Sequence, residues 1–169
     1  MSGNSEYPMA LPAPTNAVSA IDEELVLQAV AASRESPRKR IIQPLHKEGA
    51  AVLQRMLNAI QPGSYIRPHR HAVDRAESII VIAGSLLYLV FNEKGEVSQF
   101  LELRAGTACF GVDTEGGVWH SFLAMEPDTV LFEVKPGPYD AVNDKEFASW
   151  APVESGPQAT EYLEVLQKR

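Results

Sequence analysis

Residues 41–135 constrain the fold most, because they form a regular series of short apolar segments separated by turns. Segments of this length with glycine-bearing turns between them are typical of antiparallel strands. About eight such segments at regular spacing predict an all-β fold, either a sandwich or a barrel. The predicted strands cover residues 51–60, 65–71, 77–83, 86–91, 97–103, 108–112, 118–125 and 129–135.

Helices are predicted on either side of this series. Ser19 and Asp22 give a weak capping signal for a helix over residues 21–30, and Pro37 prevents it from continuing far. A short amphipathic helix is predicted over residues 160–168. The predicted organisation is a flexible N-terminal tail at residues 1–18, one domain with the first helix at residues 19–156, and a C-terminal helix at residues 157–169.

Charge restricts the classes of partner. The chain has 169 residues, a formal net charge of −7 and a hydrophobic content of 45%, which suits one globular domain with a sizeable core. Because binding to phosphate backbones needs a basic face, the negative charge argues against a nucleic-acid partner. The basic cluster Arg38-Lys39-Arg40 is an exception whose role is left open.

The sequence also carries signals about its compartment. No apolar stretch approaches the length of a membrane span, and residues 1–16 lack the basic and apolar regions of a signal peptide. The single cysteine, Cys109, excludes an intrachain disulfide, and its apolar neighbours predict a small buried side chain. A cytoplasmic protein with no membrane contact is predicted.

The candidate functional residues are three histidines and a glutamate. His69 and His71 are two positions apart in a predicted strand, so their side chains point to the same face. Glu77 follows in the next predicted strand, and His120 lies in a later one. A His-x-His pair alone is usually solvated, but the combination of three imidazoles and one carboxylate predicts a site for one divalent transition metal ion.

The spacing of these residues resembles that of the cupin superfamily. The first cupin motif has the form Gly-x5-His-x-His-x3–4-Glu-x6-Gly, and Gly63, His69, His71, Glu77 and Gly84 match it with one extra residue before the glutamate. The resemblance implies a single jelly-roll β-barrel with the two helices added to its ends.

The second cupin motif is degraded here. Gly117 and His120 match it, but Glu115 stands where a proline is usual and Ala124 stands where an asparagine is usual. Neither lost residue is a metal ligand in the superfamily. The resemblance therefore still implies that His69, His71, Glu77 and His120 bind the metal, and it also implies a homodimer.

Several segments resemble more closely the WbuC-type cupin metalloproteins, which are often encoded near bacterial surface-polysaccharide genes. This likeness implies a link to surface-polysaccharide metabolism without implying a particular reaction. The resembling segments are Ser36-Pro37-Arg38 and residues 65–71, 117–120, 132–139 and 144–154.

The ligand set leaves the metal and the reaction open. Mixed nitrogen and oxygen ligation suits Fe, Mn, Ni, Co or Zn. A centre without thiolates and with open coordination positions predicts a metalloenzyme, such as an isomerase, epimerase, lyase or oxygenase, acting on a sugar-like or carboxylated small molecule. A non-catalytic module that senses a sugar or metabolite is the alternative. A metal-independent sugar-nucleotide epimerase, which needs a His–Asp base, fits the four ligands less well.

Five further residues are candidates for contact with an anionic or sugar-like ligand. Arg67 has the same strand parity as His69, so a bidentate contact with a carboxylate is as plausible as a surface salt bridge. Tyr65 shares that parity, although core packing fits it better than acid catalysis. The remaining candidates are His46, for which a solvated loop is the alternative, and Lys135 and Tyr139, which lie in or beside the last predicted strand.

Overall fold

The computed structural model describes residues 7–168, which form ten strands and two helices. The helices are α1 (Glu23–Glu35) and α2 (Ala159–Gln167). The strands are β1 (Arg40–Pro44), β2 (Leu53–Ile60), β3 (His69–Arg70), β4 (Glu77–Ala83), β5 (Ser85–Phe91), β6 (Val97–Arg104), β7 (Gly111–Thr114), β8 (Trp119–Ala124), β9 (Thr129–Pro136) and β10 (Glu146–Phe147).

The strands form two five-stranded sheets with a nested pairing pattern. Sheet 1 has the order β1-β2-β9-β4-β7, and sheet 2 has the order β10-β3-β8-β5-β6. Strand β5 pairs with β6, β4 with β7, β3 with β8 and β2 with β9, all antiparallel. This pairing is that of one long hairpin folded over on itself, which is the topology of a jelly roll. The predicted single jelly roll with a helix near each end is confirmed.

The two helices cover the outer faces of different sheets. Helix α1 begins after Asp22, whose side chain accepts a hydrogen bond from the Leu25 amide, as an N-cap residue does. Its buried side chains Ala29 and Val30 pack against Leu57 and Val130 of sheet 1. Helix α2 buries residues such as Leu163 in the cluster that also contains the outer side chains of β5.

Between the sheets, apolar and polar side chains occupy opposite ends. Ile79, Leu103 and Leu131 belong to the apolar cluster that fills one end. The other end contains buried polar groups, including His69, Glu77, His120, Glu133 and Lys135. Buried polar groups are unfavourable unless they find partners, so this end is where a functional site is expected.

Two predicted strands are corrected by the structure. The strand predicted over residues 65–71 is formed only at His69–Arg70, and Tyr65 packs instead with Leu163 in the cluster beneath α2. The prediction that Tyr65 shares a face with His69 is wrong, because strand alternation does not extend through residues 61–68. The strand predicted over residues 108–112 lies at Gly111–Thr114, and Cys109 is exposed rather than buried.

Part of the predicted N-terminal tail lies along the domain. Ala10 forms a parallel bridge with Ile42 of β1, and the amide of Leu11 donates to the carbonyl of Ile42. The first six residues of that tail and Arg169 are outside the described residues. Among the described residues, neither helix is long and apolar enough to cross a bilayer.

Candidate metal centre

Three histidines meet at the polar end of the space between the sheets. His69 on β3 lies directly opposite His120 on β8 in the strand register, and the ring of His71 lies 5.4 Å from that of His69. One ring nitrogen from each histidine lies within 4.8 Å of the others, and all three residues are buried. The three imidazoles are therefore positioned to hold a metal ion, as predicted.

Backbone carbonyl groups fix the orientation of all three rings. In each ring, Nδ1 lies 2.7 to 3.0 Å from a backbone oxygen, which belongs to Arg67 for His69, to Asp144 for His71 and to Val118 for His120. Because a carbonyl oxygen only accepts hydrogen bonds, each Nδ1 carries a proton, so in the neutral form of each ring Nε2 presents a lone pair. Histidines that bind metals are oriented by partners of this kind.

Glu77 completes the set from the opposite sheet. Its Oε1 lies 2.9 Å from Nε2 of His120, and its Oε2 lies 3.2 Å from Nε2 of His71. Yet Oε1 of Glu77 and Nε2 of His120 are buried and have no hydrogen-bond partner within residues 7–168. With a neutral imidazole, the two lone-pair atoms at this distance repel each other unless a cation lies beside both. The donor set therefore fits a divalent transition metal ion.

The side chain of His120 packs against the buried ring of an aromatic residue. Tyr88 stacks on it with a centroid distance of 5.6 Å and an interplanar angle of 9°. The hydroxyl of Tyr88 is 2.8 Å from Oγ1 of Thr114, so the position of the stacking ring is itself fixed. A ligand held on several sides needs little reorganisation to bind a metal ion.

The electrostatics favour the ligating forms of these side chains. Burial opposes ionisation of Glu77, but its contacts with His120 and His71 hold the pKa of the carboxyl well below its usual range. Burial, together with the charge of Lys145, lowers the pKa of His69 well below its ordinary value. A carboxylate and a neutral imidazole are the forms that bind metal ions.

A second group of buried polar side chains lies beside the candidate metal ligands. The amide of Asn58 donates to Oε2 of Glu133 at 2.8 Å. Nζ of Lys135 lies 2.8 Å from Oδ2 of Asp144 and 3.7 Å from Oε1 of Glu133. Because the backbone oxygen of Asp144 also binds the His71 ring, this network supports the orientation of a metal ligand.

The protonation of this network reflects its burial. Burial, followed by the charge of Glu77, raises the pKa of Glu133. Burial opposes the charge of Lys135, but Glu133 and Asp144 outweigh it and raise the pKa of the ammonium. Sequence analysis did not select Asn58, Glu133 or Asp144. The signal was present for Glu133, since it alternates in phase with Lys135 in an otherwise apolar strand.

The segment after β9 covers the histidine-bearing edge of sheet 2. Phe147 of β10 is the register partner of His69, and the two rings are 6.2 Å apart. The amide of Ala148 donates to the carbonyl of Pro68. Strand β10, which was not predicted, therefore contributes to the wall of the site.

The five predicted ligand contacts occupy different places. Both Nε and Nη2 of Arg67 donate to the carbonyl oxygen of Ala148, at 3.1 and 2.6 Å. The hydroxyl of Tyr65 donates to the carbonyl oxygen of Pro152. His46 lies in an exposed loop, where its Nδ1 is 3.1 Å from the donating amide of Arg55. Lys135 lies in the buried polar network described above, and Tyr139 is exposed after β9.

Comparisons with known proteins add a family model and a set of solved structures. A model described as "Domain of unknown function (DUF6016)" matches residues 21–103, a little under half of the chain. No match is found among curated proteins.

Similar solved structures include those of oxalate decarboxylase from Bacillus subtilis. A structure at pH 4.6 has 21% identity and a TM-score of 0.47 over 58% of this chain and 24% of that chain. A variant of that enzyme in which a tryptophan is replaced by tyrosine has 20% identity and a TM-score of 0.47 over 69% of this chain and 28% of that chain. A structure concerned with the Mn(II) centres of that enzyme has 23% identity and a TM-score of 0.45 over 57% of this chain and 24% of that chain. The chain thus spans about a quarter of the length of these proteins.

Proposed function

We propose that the protein binds one divalent transition metal ion through His69, His71, Glu77 and His120 and uses it as a small-molecule metalloenzyme. The observation that carries this proposal is the buried approach of Glu77 Oε1 to His120 Nε2 at 2.9 Å, with neither atom satisfied within the described chain. A bound ion would supply Lewis-acid chemistry to an oxygen of the ligand.

The reaction classes in view are isomerisation or epimerisation, lyase chemistry and oxygenation of a sugar-like or carboxylated substrate. Glu133 supports an enzyme over a sensing module. Its carboxyl is buried beside the proposed ligands and accepts a hydrogen bond from Asn58, and burial raises its pKa. A carboxyl whose pKa is raised above its ordinary value is better suited to transfer a proton than a solvated one.

The native metal is proposed only as one of Fe, Mn, Ni, Co and Zn. The ligands are three imidazoles and one carboxylate, and all of these ions accept such a set. The absence of cysteine from the four ligands favours a centre with an exchangeable position over a closed structural zinc site.

We propose further that the protein acts in the cytoplasm, in surface-polysaccharide metabolism, as the resemblance to WbuC-type cupins implies. Two segments that carry the WbuC resemblance, residues 132–139 and 144–154, meet at the centre. Their contact is the ion pair between Lys135 and Asp144. The resemblance thus includes the support of the His71 ligand, in addition to the histidine motif.

Metal analysis of purified protein tests the proposal. We expect about one transition metal ion per chain in the wild type, since one set of ligands converges on one point. His120→Ala should lose most of it, because the variant removes a ligand together with the partner of Glu77. His46→Ala is the matched control, as it removes the one histidine outside the cluster.

Two outcomes separate the parts of the proposal. Equal metal content in the wild type and in His120→Ala would contradict the assigned ligands. A metal-loaded wild type that shows no turnover with oxygen, sugar nucleotides or keto acids, but binds one of the compounds tightly, would favour the sensing module over the enzyme.

A further inference from the structure

The cations around the metal centre differ in whether their donors are already used. Arg67 donates twice to Ala148, and Lys135 is paired with Asp144 and Glu133. Arg75 donates to the carbonyl of Pro138 and approaches Asp144. These three side chains are held by the protein, so they have little capacity left for a ligand.

Lys145 is the exception among these cations. Its ammonium makes no hydrogen bond or ion pair with any residue in the described range 7–168. The ammonium lies over the ring of Phe147, with Nζ 6.0 Å from the ring centroid. An ammonium has three donors, and a partly buried one without a charged partner is unfavourable.

The strand register places Lys145 on the metal side of β10. Phe147 is paired with His69 and Glu146 with Arg70, so continuing the antiparallel register by one residue brings Lys145 opposite His71. Side chains that are opposite in an antiparallel pair lie on the same face. Phe147, which contacts both His69 and Lys145, lies on that face as well.

The charges of the site agree with this position. Together with burial, the charge of Lys145 lowers the pKa of His69. The same charge opposes the rise that burial causes in the pKa of Glu133. Burial and the charge of Lys135 lower the pKa of Lys145 itself. These effects agree with the strand register, which brings Lys145 to the metal side of β10.

The overall charge of the site favours an anionic ligand. Its three acidic side chains, Glu77, Glu133 and Asp144, are balanced by three basic ones, Lys135, Lys145 and Arg75. A divalent ion would then leave the site positive, and more so when Glu133 holds a proton. A positive site screened from solvent attracts anions.

We propose that Lys145 is the ligand-binding cation of this site and selects a small acid with two anionic groups, one on the metal ion and the other on the Lys145 ammonium. This assignment rests on the proposed function, because it requires the metal. The contact with an anion that was predicted for Arg67 is thereby assigned to Lys145, which lies in the segment after β9.

The test is calorimetric binding of matched pairs of acids to the metal-loaded protein. Malonate and succinate are compared with their monoamides, which have nearly the same shape but a neutral second end. We expect the wild type to bind one diacid roughly tenfold more tightly than its monoamide, the range for a charge-assisted hydrogen bond. Lys145→Met should remove that preference, and Lys145→Arg should keep most of it. Lys94→Met changes an exposed lysine in the β5–β6 turn and should behave as the wild type.

Metal content is measured on every variant, so that the two proposals fail in different ways. A wild type without metal would overturn the proposed function and this inference together. A metal-loaded wild type without a preference for either diacid would overturn the inference alone. So would an unchanged preference in metal-loaded Lys145→Met.

Discussion

His69 and His120 face each other across β3 and β8 and are bound in the same way. Each donates from Nδ1 to the carbonyl oxygen two residues earlier in its own chain segment, Arg67 and Val118 respectively. The two rings are 4.5 Å apart. This local symmetry means that both Nε2 atoms are set by backbone geometry and not by a flexible partner.

Removal of the metal should lower thermal stability. An ion that binds only the folded chain stabilises it by mass action, by about 4 kcal/mol when its concentration is a thousand times the Kd. For a chain of this size that corresponds to a fall in Tm of about 10 °C on chelation. Differential scanning calorimetry with and without a chelator measures this change in Tm. His120→Ala should show almost no response to the chelator, while His46→Ala should respond like the wild type.

Lys135→Met should destabilise the fold by about 3 kcal/mol, because it leaves Glu133 and Asp144 buried without their cation. Denaturant unfolding gives the free energy. Adding Glu133→Gln should recover part of the loss, since it removes one of the uncompensated charges. A single variant as stable as the wild type would show that the ion pair is not needed.

The ion pair between Arg34 and Asp128 predicts a pH-dependent contribution. The hydrogen bond from Arg34 lowers the pKa of Asp128, against a weaker opposing effect of burial and with help from Gln61. Because the folded pKa is below the unfolded one, the contribution is present above the ordinary aspartate pKa of about 4 and is lost as pH falls through the folded value.

Asp128→Asn tests this sign. Asparagine tolerates the positive φ of 60° at this position and can still bind Gln61. We expect a small decrease in Tm near neutral pH that disappears in acid. A difference that persists at acidic pH would mean that the variant lost something other than the ion pair.

That the protein forms a homodimer remains a prediction. We expect the interface on the outer face of sheet 1. Ile80 and Ile82 of β4 are 37% and 38% exposed, and Phe110 beside them is 48% exposed. Helix α1 covers β1, β2 and β9 instead. Light scattering should give twice the chain mass of 18.5 kDa, and Ile80→Asp should shift it towards the monomer. A wild-type mass of one chain at micromolar concentration would contradict the prediction.

The cluster of candidate metal ligands could be predicted from the sequence because its members lie in regular strands or next to them. Gly63 and Gly84, which border the first motif, both have positive φ, at 85° and 72°, so the motif glycines mark real turns. The alternation also placed His120 correctly, since Trp119 beside it packs on the other face of sheet 2 with Trp150.

Residues outside regular strands were harder to place. Arg67 and Tyr65 were predicted to share a face with His69 because a strand was expected to begin at residue 65. The chain joins a sheet only at His69. The role of Asp144 depends on a backbone oxygen, which no residue type reveals. Lys145 gains its position from the two-residue strand β10, too short for periodicity to detect.

The nested pairing of the strands also bears on how the chain can fold. His69 and His120 are nearly equally far in sequence from the turn at residues 92–95, and β5 and β6 close directly around that turn. Loop-closure entropy favours joining the near strands before the distant ones, so we expect β5–β6 to pair first, then β4–β7, and β3–β8 third. Glu77 would be in place before the histidines meet. The metal ion would then bind late and hold closed a barrel in which β2 and β9 are still to pair.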